Sequence, residues 1–539
     1  MSSRSSDIKH DETILRWHGY RYFPYEKVLA EREVESVLGV QPESSPSGLT
    51  VPSDSVSVDK IERLTYFRDA VGRNSAPIET IQGMLERTCT GDSAHVESHK
   101  KPKRQATRYS AHGLHEYKGK FNPQIVRAIG NILSLERGAW LLDPFCGSGT
   151  TLLEAFHGGW NAVGTDLNPL AVEIANAKVA AIQTPMRRLA AAAATLEGQV
   201  SIAEKLLSHN RHVSEKTIAA RLRPDWTSAL ANFDYLSRWF PRPVLAQLAI
   251  LLDAIAGIRS ERIRRVFRIV LSDILRGVSL QEPADLRIRR RKDAAPNYPA
   301  ITIFLADLKR KLDMIERAQW AIAPCSFQLA VRHDIRAPLP QIDGASSNEF
   351  DAAITSPPYA TALPYIDTQR LSLCLLGLVD WIDLGHTEHS LIGTREISSR
   401  QRRELGTEIE SNEARLPPRV HEIAQRMLHA SLKDGNGFRR QNTPGLIYKY
   451  FGEMQDVFRA LLRALKPKSK FALLVGRNRT RLGGKDFVVE TPHLLAEIAQ
   501  QAGWELADVI DLEAYQRYDI HHQNSIRKEG LIILRRPSG

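Results

Sequence analysis

Residues Ala139–Ala155 read Ala-Trp-Leu-Leu-Asp-Pro-Phe-Cys-Gly-Ser-Gly-Thr-Thr-Leu-Leu-Glu-Ala, and this stretch decides the fold. The apolar run Trp140–Leu142 ends at Asp143. Pro144 cannot donate to a sheet ladder, Gly147 and Gly149 permit a tight bend, and Thr150–Phe156 begins a helical pattern. Strand, glycine loop and helix in that order make the place where an α/β sheet brings backbone against a ligand. The loop has Thr151 and Leu152 where a dinucleotide fingerprint would carry its third glycine, and it lacks the lysine of a phosphate-cradling loop. An acid at the strand tip suits an ammonium better than a pyrophosphate. A Gly-x-Gly on its own is as readily an ordinary tight turn.

Two further runs accompany it. Trp160–Gly164 leads to Asp166, then through Asn168-Pro169 into a helix over Leu170–Ala181. An acid at this second tip is placed to accept hydrogen bonds from ribose hydroxyls. Much later, Phe350–Thr355 ends in Ser356-Pro357-Pro358-Tyr359. In isolation those four residues read as a proline-rich turn; behind a strand and downstream of the glycine loop they read as functional. Asp-Pro-Phe-x-Gly-Ser-Gly-Thr-Thr paired with Ser-Pro-Pro-Tyr resembles the S-adenosylmethionine-dependent methyltransferases that modify exocyclic amines of DNA bases, N4 of cytosine or N6 of adenine. The resemblance covers Arg108–Glu173, Gln328–Leu378 and, more loosely, Tyr448–Leu534.

That resemblance implies an α/β fold: a Rossmann-like seven-stranded methyltransferase sheet, here with a helical insertion and additional N-terminal and target-recognition regions. It implies S-adenosylmethionine as cofactor. Asp143 would take the methionine ammonium, with Pro144, Phe145, Gly147 and Gly149 in the cofactor loop. Thr150 and Thr151 would stand at the helix N-terminus near the carboxylate. Asp166 would hold the ribose, Asp334 the adenine amino group, and Phe121 and Pro123 would wall the methionine end. The bland readings are a surface aspartate at 334 and a first-turn helix proline at 123.

The acceptor poses the chemical difficulty, because the lone pair of an exocyclic amine is conjugated into its ring. Ser356 and the backbone carbonyls held by Pro357 and Pro358 can accept both amine hydrogens, and proline supplies a rigid φ with no competing donor. Tyr359 offers a ring to stack on an extruded base, worth about 1–3 kcal/mol. No metal is required, and Cys146 lies in the cofactor loop, which argues against ring-carbon methylation.

Composition sets the frame. The chain has 539 residues, 42% hydrophobic and 25% charged, with a net charge of +11, which predicts two or three globular units and suits a polyanionic partner. No apolar run approaches a membrane span and the N-terminus has no signal-like core. Cys89, Cys146, Cys325 and Cys374 lie too far apart for a zinc pair or disulfide framework. A reducing, cytoplasmic setting is expected.

In chain order, residues 1–105 read as an N-terminal accessory region, favoured as scaffold over DNA contact, with Gln41–Asp54 a Pro/Ser-rich loop. Residues 106–182 form the first part of the core, entered through Tyr109–Gln124 and an amphipathic helix over Ile125–Leu135. Residues 183–320 are an inserted helical subdomain (Arg187–Leu207, Val213–Leu222, Pro243–Ile258, Glu261–Leu275, Ala300–Gln319). Within it, Arg287–Lys292 is either a solvated helix end or a phosphate contact. Residues 321–379 carry strand Phe327–Val331 and the Ser-Pro-Pro-Tyr loop. Residues 380–445 are a basic insert suited to target recognition. Residues 446–539 close the core with helix Ile447–Leu465, a turn at Lys466–Lys468, strand Lys470–Val475, a basic loop over Arg477–Lys485, helix Thr491–Ala502 and strands Leu506–Leu512 and Gly530–Leu534.

Ser at the first position of the reactive loop leans toward cytosine-N4 in a specific sequence of double-stranded DNA; Asp there would lean toward adenine-N6. Exocyclic-amine methylation of RNA, and a non-catalytic nucleic-acid binder, stand as alternatives. The resemblance allows two settings, a restriction-modification pair with a cognate restriction nuclease as partner, or a solitary enzyme.

Overall fold

The computed structural model describes residues 12–73, 75–90, 105–208, 232–282, 285, 289–291, 298–319, 326–342, 349–360, 365–395, 397–432, 437–513 and 528–538. The chain first builds an antiparallel sheet from β1 (Glu12–Trp17), β2 (Glu43–Ser45), β3 (Gly48–Pro52), β4 (Phe67–Gly72) and β5 (Ile78–Glu79), in the order β2-β3-β1-β4-β5. Helices α1 (Pro24–Leu38), α2 (Val58–Arg63) and α3 (Ile81–Thr90) accompany it. The expected loop Gln41–Asp54 is thus largely a β-hairpin. Its Pro and Ser residues mark the turn at Pro46-Ser47, while Leu49 and Val51 alternate into the core.

This unit is bonded to the rest of the molecule. Glu33 of α1, fully buried, accepts from Thr65 N at 3.0 Å and from Asn131 Nδ2 at 2.7 Å; Asn131 lies on α4 (Pro123–Ile132). One hydrophobic cluster runs from Leu29 and Phe67 through Ile129 to Leu141 and Leu531. Such continuity is what a scaffold requires.

The central sheet comprises β6 (Trp140–Asp143), β7 (Asn161–Asp166), β8 (Gln328–Arg332), β9 (Phe350–Thr355), β10 (Leu465–Gly476), β13 (Glu505–Glu513) and β14 (Lys528–Arg535). Its order is β13-β14-β10-β9-β6-β7-β8. Every neighbouring pair from β10 to β8 is parallel, whereas β14 pairs antiparallel with both β10 and β13. Helices α5 (Thr150–Gly158) and α6 (Pro169–Gln183) cross over from β6 and β7. Strands covered on both faces are apolar without alternation, which is why they stand out in the sequence. The fold is the expected Rossmann-like seven-stranded sheet.

Between β7 and β8, helices Met186–Ser208, Arg242–Ala256, Glu261–Val278 and Ala300–Gln319 pack with α6 into a second cluster. The expected helix Val213–Leu222 lies outside the described residues. Arg287 and Lys292 of the cationic run also lie outside them. Arg291 is occupied within the fold: it donates to the carbonyls of Arg276, Gly277 and Gln281 and lies 5.1 Å over the Tyr298 ring. It therefore closes the C-terminus of helix Glu261–Val278 instead of facing a phosphate.

The 380–445 region forms helices Leu384–Ser390, Ser399–Ser411 and Pro418–Ser431. The next helix begins at Phe438, well before the expected Ile447, and carries Pro444 inside it. The expected turn at Lys466–Lys468 is absorbed into β10 as an irregularity between Leu465 and Lys470. Arg477–Lys485, expected as a loop, is mostly a two-stranded hairpin of β11 (Asn478–Leu482) and β12 (Lys485–Val489). Gly483 and Gly484, both at positive φ, supply the turn geometry that matches strand twist.

Candidate active site

Strand order sets β6 between β9 and β7, so the tips at Asp143, Thr355 and Asp166 are neighbours. Thr355 Oγ1 donates to Asp143 Oδ1 at 2.6 Å, and the Phe145 N–H donates to the same oxygen at 3.1 Å. The glycine loop then folds toward β7. Cys146 N donates to Thr165 O at 2.9 Å, and Gly147 N to Asp166 Oδ2 at 2.9 Å. The other Asp166 oxygen accepts from Asn168 N at 2.8 Å. Burial pushes both Asp143 and Asp166 up to about 6.

Two close contacts explain the loop's composition. Gly149 has φ +74°, and a Cβ there would stand 2.6 Å from the Ala175 Cβ. Buried Lys178 of α6 donates to Ser148 O at 2.8 Å and Ser148 Oγ at 3.1 Å, bracing the loop from behind.

A cleft opens over these tips. Pro144, Phe145, Gly147, Asp166 and Asp334 line it, together with Ser356 and Pro358 from the reactive loop. Asp143, Thr150 and Thr151 are buried outside that lining, as is Pro357. Gly149 caps the helix behind it. Phe121 packs on the hydrophobic cluster shared with the N-terminal sheet, and Pro123 opens α4 behind its Asn122 cap; their segment meets the cleft through Tyr117 and Gly119 instead. Tyr359 directs its hydroxyl to Glu529 Oε1 at 3.0 Å and does not line the cleft. Asp334 is gripped by Arg336, Nη2–Oδ2 2.7 Å and Nε–Oδ1 2.9 Å. Burial favours its proton, but the guanidinium holds the carboxyl below its usual range.

Sequence reasoning did not assign Tyr117, Tyr365, Asn168, His333, Leu391 or Ile392, all of which line the cleft. Tyr117, Tyr365 and His333 sit in stretches already quoted for the resemblance. Leu391 and Ile392 had one weak signal, an apolar pair inside a polar insert. Gly393 beside them has φ +77° and comes so near the reactive loop that a Cβ would lie 3.1 Å from Tyr359 O.

Behind α5, Tyr109, His112 and His157 converge on Glu154 Oε1 at 2.8, 2.7 and 3.2 Å, and Arg127 Nε lies 3.2 Å from Oε2. His112, Glu154 and His157 have the spacing of a metal set. With Arg127 already on the carboxylate, however, the cluster reads as a buried polar knot fastening the lead-in segment to α5. Cys146 and Cys374 are free and buried. Among the described residues no helix is long and apolar enough to cross a membrane.

Residues 73–177 match the family model described as DNA methylase. The type II methyltransferase M.MvaI of Kocuria varians is 26% identical over 290 residues, covering 52% of this chain and 59% of that protein. M.MjaII of Methanocaldococcus jannaschii is 24% identical over 345 residues, covering 51% and 64%. M.BsoBI of Geobacillus stearothermophilus is 23% identical over 430 residues, covering 75% and 80%. The match thus spans less than two thirds of the first two relatives. With the two motifs and the sheet order on the page, these matches bear out the resemblance: this chain is similar to the S-adenosylmethionine-dependent DNA amino-methyltransferases that act on N4 of cytosine or N6 of adenine.

Proposed function

We propose that this protein transfers a methyl group from S-adenosylmethionine to the exocyclic amine of a base flipped out of double-stranded DNA, N4 of cytosine within a specific sequence. One observation carries the reading: Ser356 and Pro358 share a single cleft with Gly147, Asp166 and Asp334. The lining suits the cofactor. It holds two carboxylates, that of Asp334 paired with Arg336 and that of Asp166 with no cationic side chain beside it in the lining. Apolar walls come from Phe145, Leu167, Ile335 and Ile392, with no lysine or arginine among the described lining residues. That charge balance favours a sulfonium and disfavours a phosphate-bearing ligand.

When bound, S-adenosylmethionine supplies a methyl group activated by its sulfonium. The chain's own residues do the rest. Asp166, fixed by two backbone N–H groups, holds the ribose side, and Asp334, aligned by Arg336, the adenine side. Asp143 acts from behind, bonding the cofactor strand to the reactive strand through Thr355. Ser356 and the Pro357 carbonyl accept the hydrogens of the target amine and free its lone pair, as preorganised acceptors that need not reorient. Tyr359, tethered by Glu529, is the stacking face for the flipped base. Residues 380–445, whose Leu391 and Ile392 reach the cleft, carry target recognition.

Ser356 favours cytosine over adenine. Expression in a host without background methylation, followed by single-molecule sequencing of host DNA, tests the reading and names the base. N4-methylcytosine at one sequence is expected. N6-methyladenine would move the assignment to the sister activity, and unmodified DNA would overturn it.

A further inference from the structure

The hairpin β11–β12 stands beside the reactive loop. It follows β10 directly, and β10 runs parallel to β9 with Leu473 beside Thr355, so both strands finish at the same edge of the sheet. Asn478 Nδ2 donates to Ala360 O at 3.2 Å, fastening the ribbon's base to the residue after Tyr359. Its two faces differ. Leu482 and Val489 are buried, whereas Arg479, Arg481, Asp486 and Val488 are exposed. The register pairs Arg479 with Val488 and Arg481 with Asp486, so these four share one outward face.

That face is unusual for a sheet turned only to water. Val488 is 55% exposed, and Arg479 and Arg481 stand exposed beside it, Arg481 Nε donating to Gly484 O at 3.3 Å, in a chain with net charge +11. The Arg479–Asp486 pair, 3.3 Å apart, leaves both side chains more than half exposed, so water screens it and a stronger partner can displace it. A two-stranded ribbon fits the B-DNA major groove, arginine pairs bidentately with guanine there, and an apolar side chain meets the thymine methyl.

We infer that the β11–β12 ribbon enters the major groove beside the flipped base and reads sequence through Arg479, Arg481 and Val488. This rests on the methyltransferase reading and adds a base-reading element outside residues 380–445.

The test uses the full chain in a methylation-free host, with single-molecule sequencing of its DNA. Cofactor affinity, measured by calorimetry on purified protein, serves as the folding control. Arg479→Ala/Arg481→Ala should keep cofactor affinity within about twofold and broaden the methylated sites at one or two positions, with about tenfold or more less methylation at the wild-type sites. Arg479→Lys/Arg481→Lys keeps the charge but loses the bidentate fork, so it should restore the overall level of methylation without restoring site preference. Unchanged sites at an unchanged level in the Ala variant would overturn the inference. So would uniform weakening with intact preference, which marks phosphate contact alone. If wild type leaves no methylation, the underlying reading falls and the ribbon falls with it; normal wild-type methylation beside an unaffected Ala variant defeats the ribbon alone.

Discussion

The Thr355 hydroxyl donates a hydrogen bond to Asp143 Oδ1 at 2.6 Å, which bonds the residue just before the reactive loop to the residue just before the cofactor loop. Asp143 is almost fully buried, so that contact has no water to replace it. Thr355→Val is expected to lower stability by about 1–3 kcal/mol, the cost of an unpaired buried polar group. It should also slow methyl transfer more than it weakens cofactor binding. Urea unfolding together with single-turnover kinetics checks both.

Asp166 makes cofactor binding depend on pH. Its folded value is raised to about 6 by burial, so below pH 6 the carboxyl is protonated and its charge is lost. Affinity for S-adenosylmethionine should fall by up to about tenfold per pH unit below that point. Asp143 titrates in the same range, so Asp166→Asn should reduce the slope without abolishing it. For the free protein the sign reverses. A raised acid stabilises the fold fully below its unfolded value near 4 and loses that contribution as pH rises through 6. Calorimetry and urea melts between pH 4.5 and 7.5 read the two effects separately.

Gly149→Ala meets both a positive φ and the Ala175 Cβ at 2.6 Å. A loss of about 1–3 kcal/mol is expected from strain and overpacking, seen as a lower Tm with the far-ultraviolet spectrum retained. Gly147→Ala has room, its Cβ 3.5 Å from the Tyr117 ring, and should act mainly on cofactor affinity through its φ of +47°.

Glu529 orients Tyr359 from the start of β14, two strands away from β9. Glu529→Ala should reduce kcat by about tenfold, equivalent to ~1.4 kcal/mol of transition-state positioning, with cofactor affinity unchanged. Tyr359→Phe should behave alike and add nothing in the double variant. A sum of the two effects would show that they act independently.

Much of the fold was legible because the parallel strands are buried on both faces. Phe350–Thr355 and Ala300–Gln319 occupy the residues their patterns predict. The hairpins at Glu43–Pro52 and Asn478–Val489 were hidden because turn residues dominate such short runs. Pairing with a remote strand such as β1 leaves no local trace, whereas Gly483-Gly484 was the local turn signal that the basic residues around it masked. At the site, both motifs marked which loops meet but not which side chains face inward. Tyr117 and Gly119 reach the cleft where Phe121 and Pro123 were expected, since Asn122 caps α4 and carries Pro123 into that helix. Leu391 and Ile392 arrive from a distant insert, a placement only tertiary packing decides.

The shared cleft is tested most directly by a crystal structure with sinefungin, a non-transferable analogue of S-adenosylmethionine. The analogue is expected between Asp166 and Asp334, with its amine, at the position of the transferable methyl, directed toward Ser356. An analogue bound elsewhere, or Ser356 shut off from it by packed side chains, would contradict the proposed chemistry.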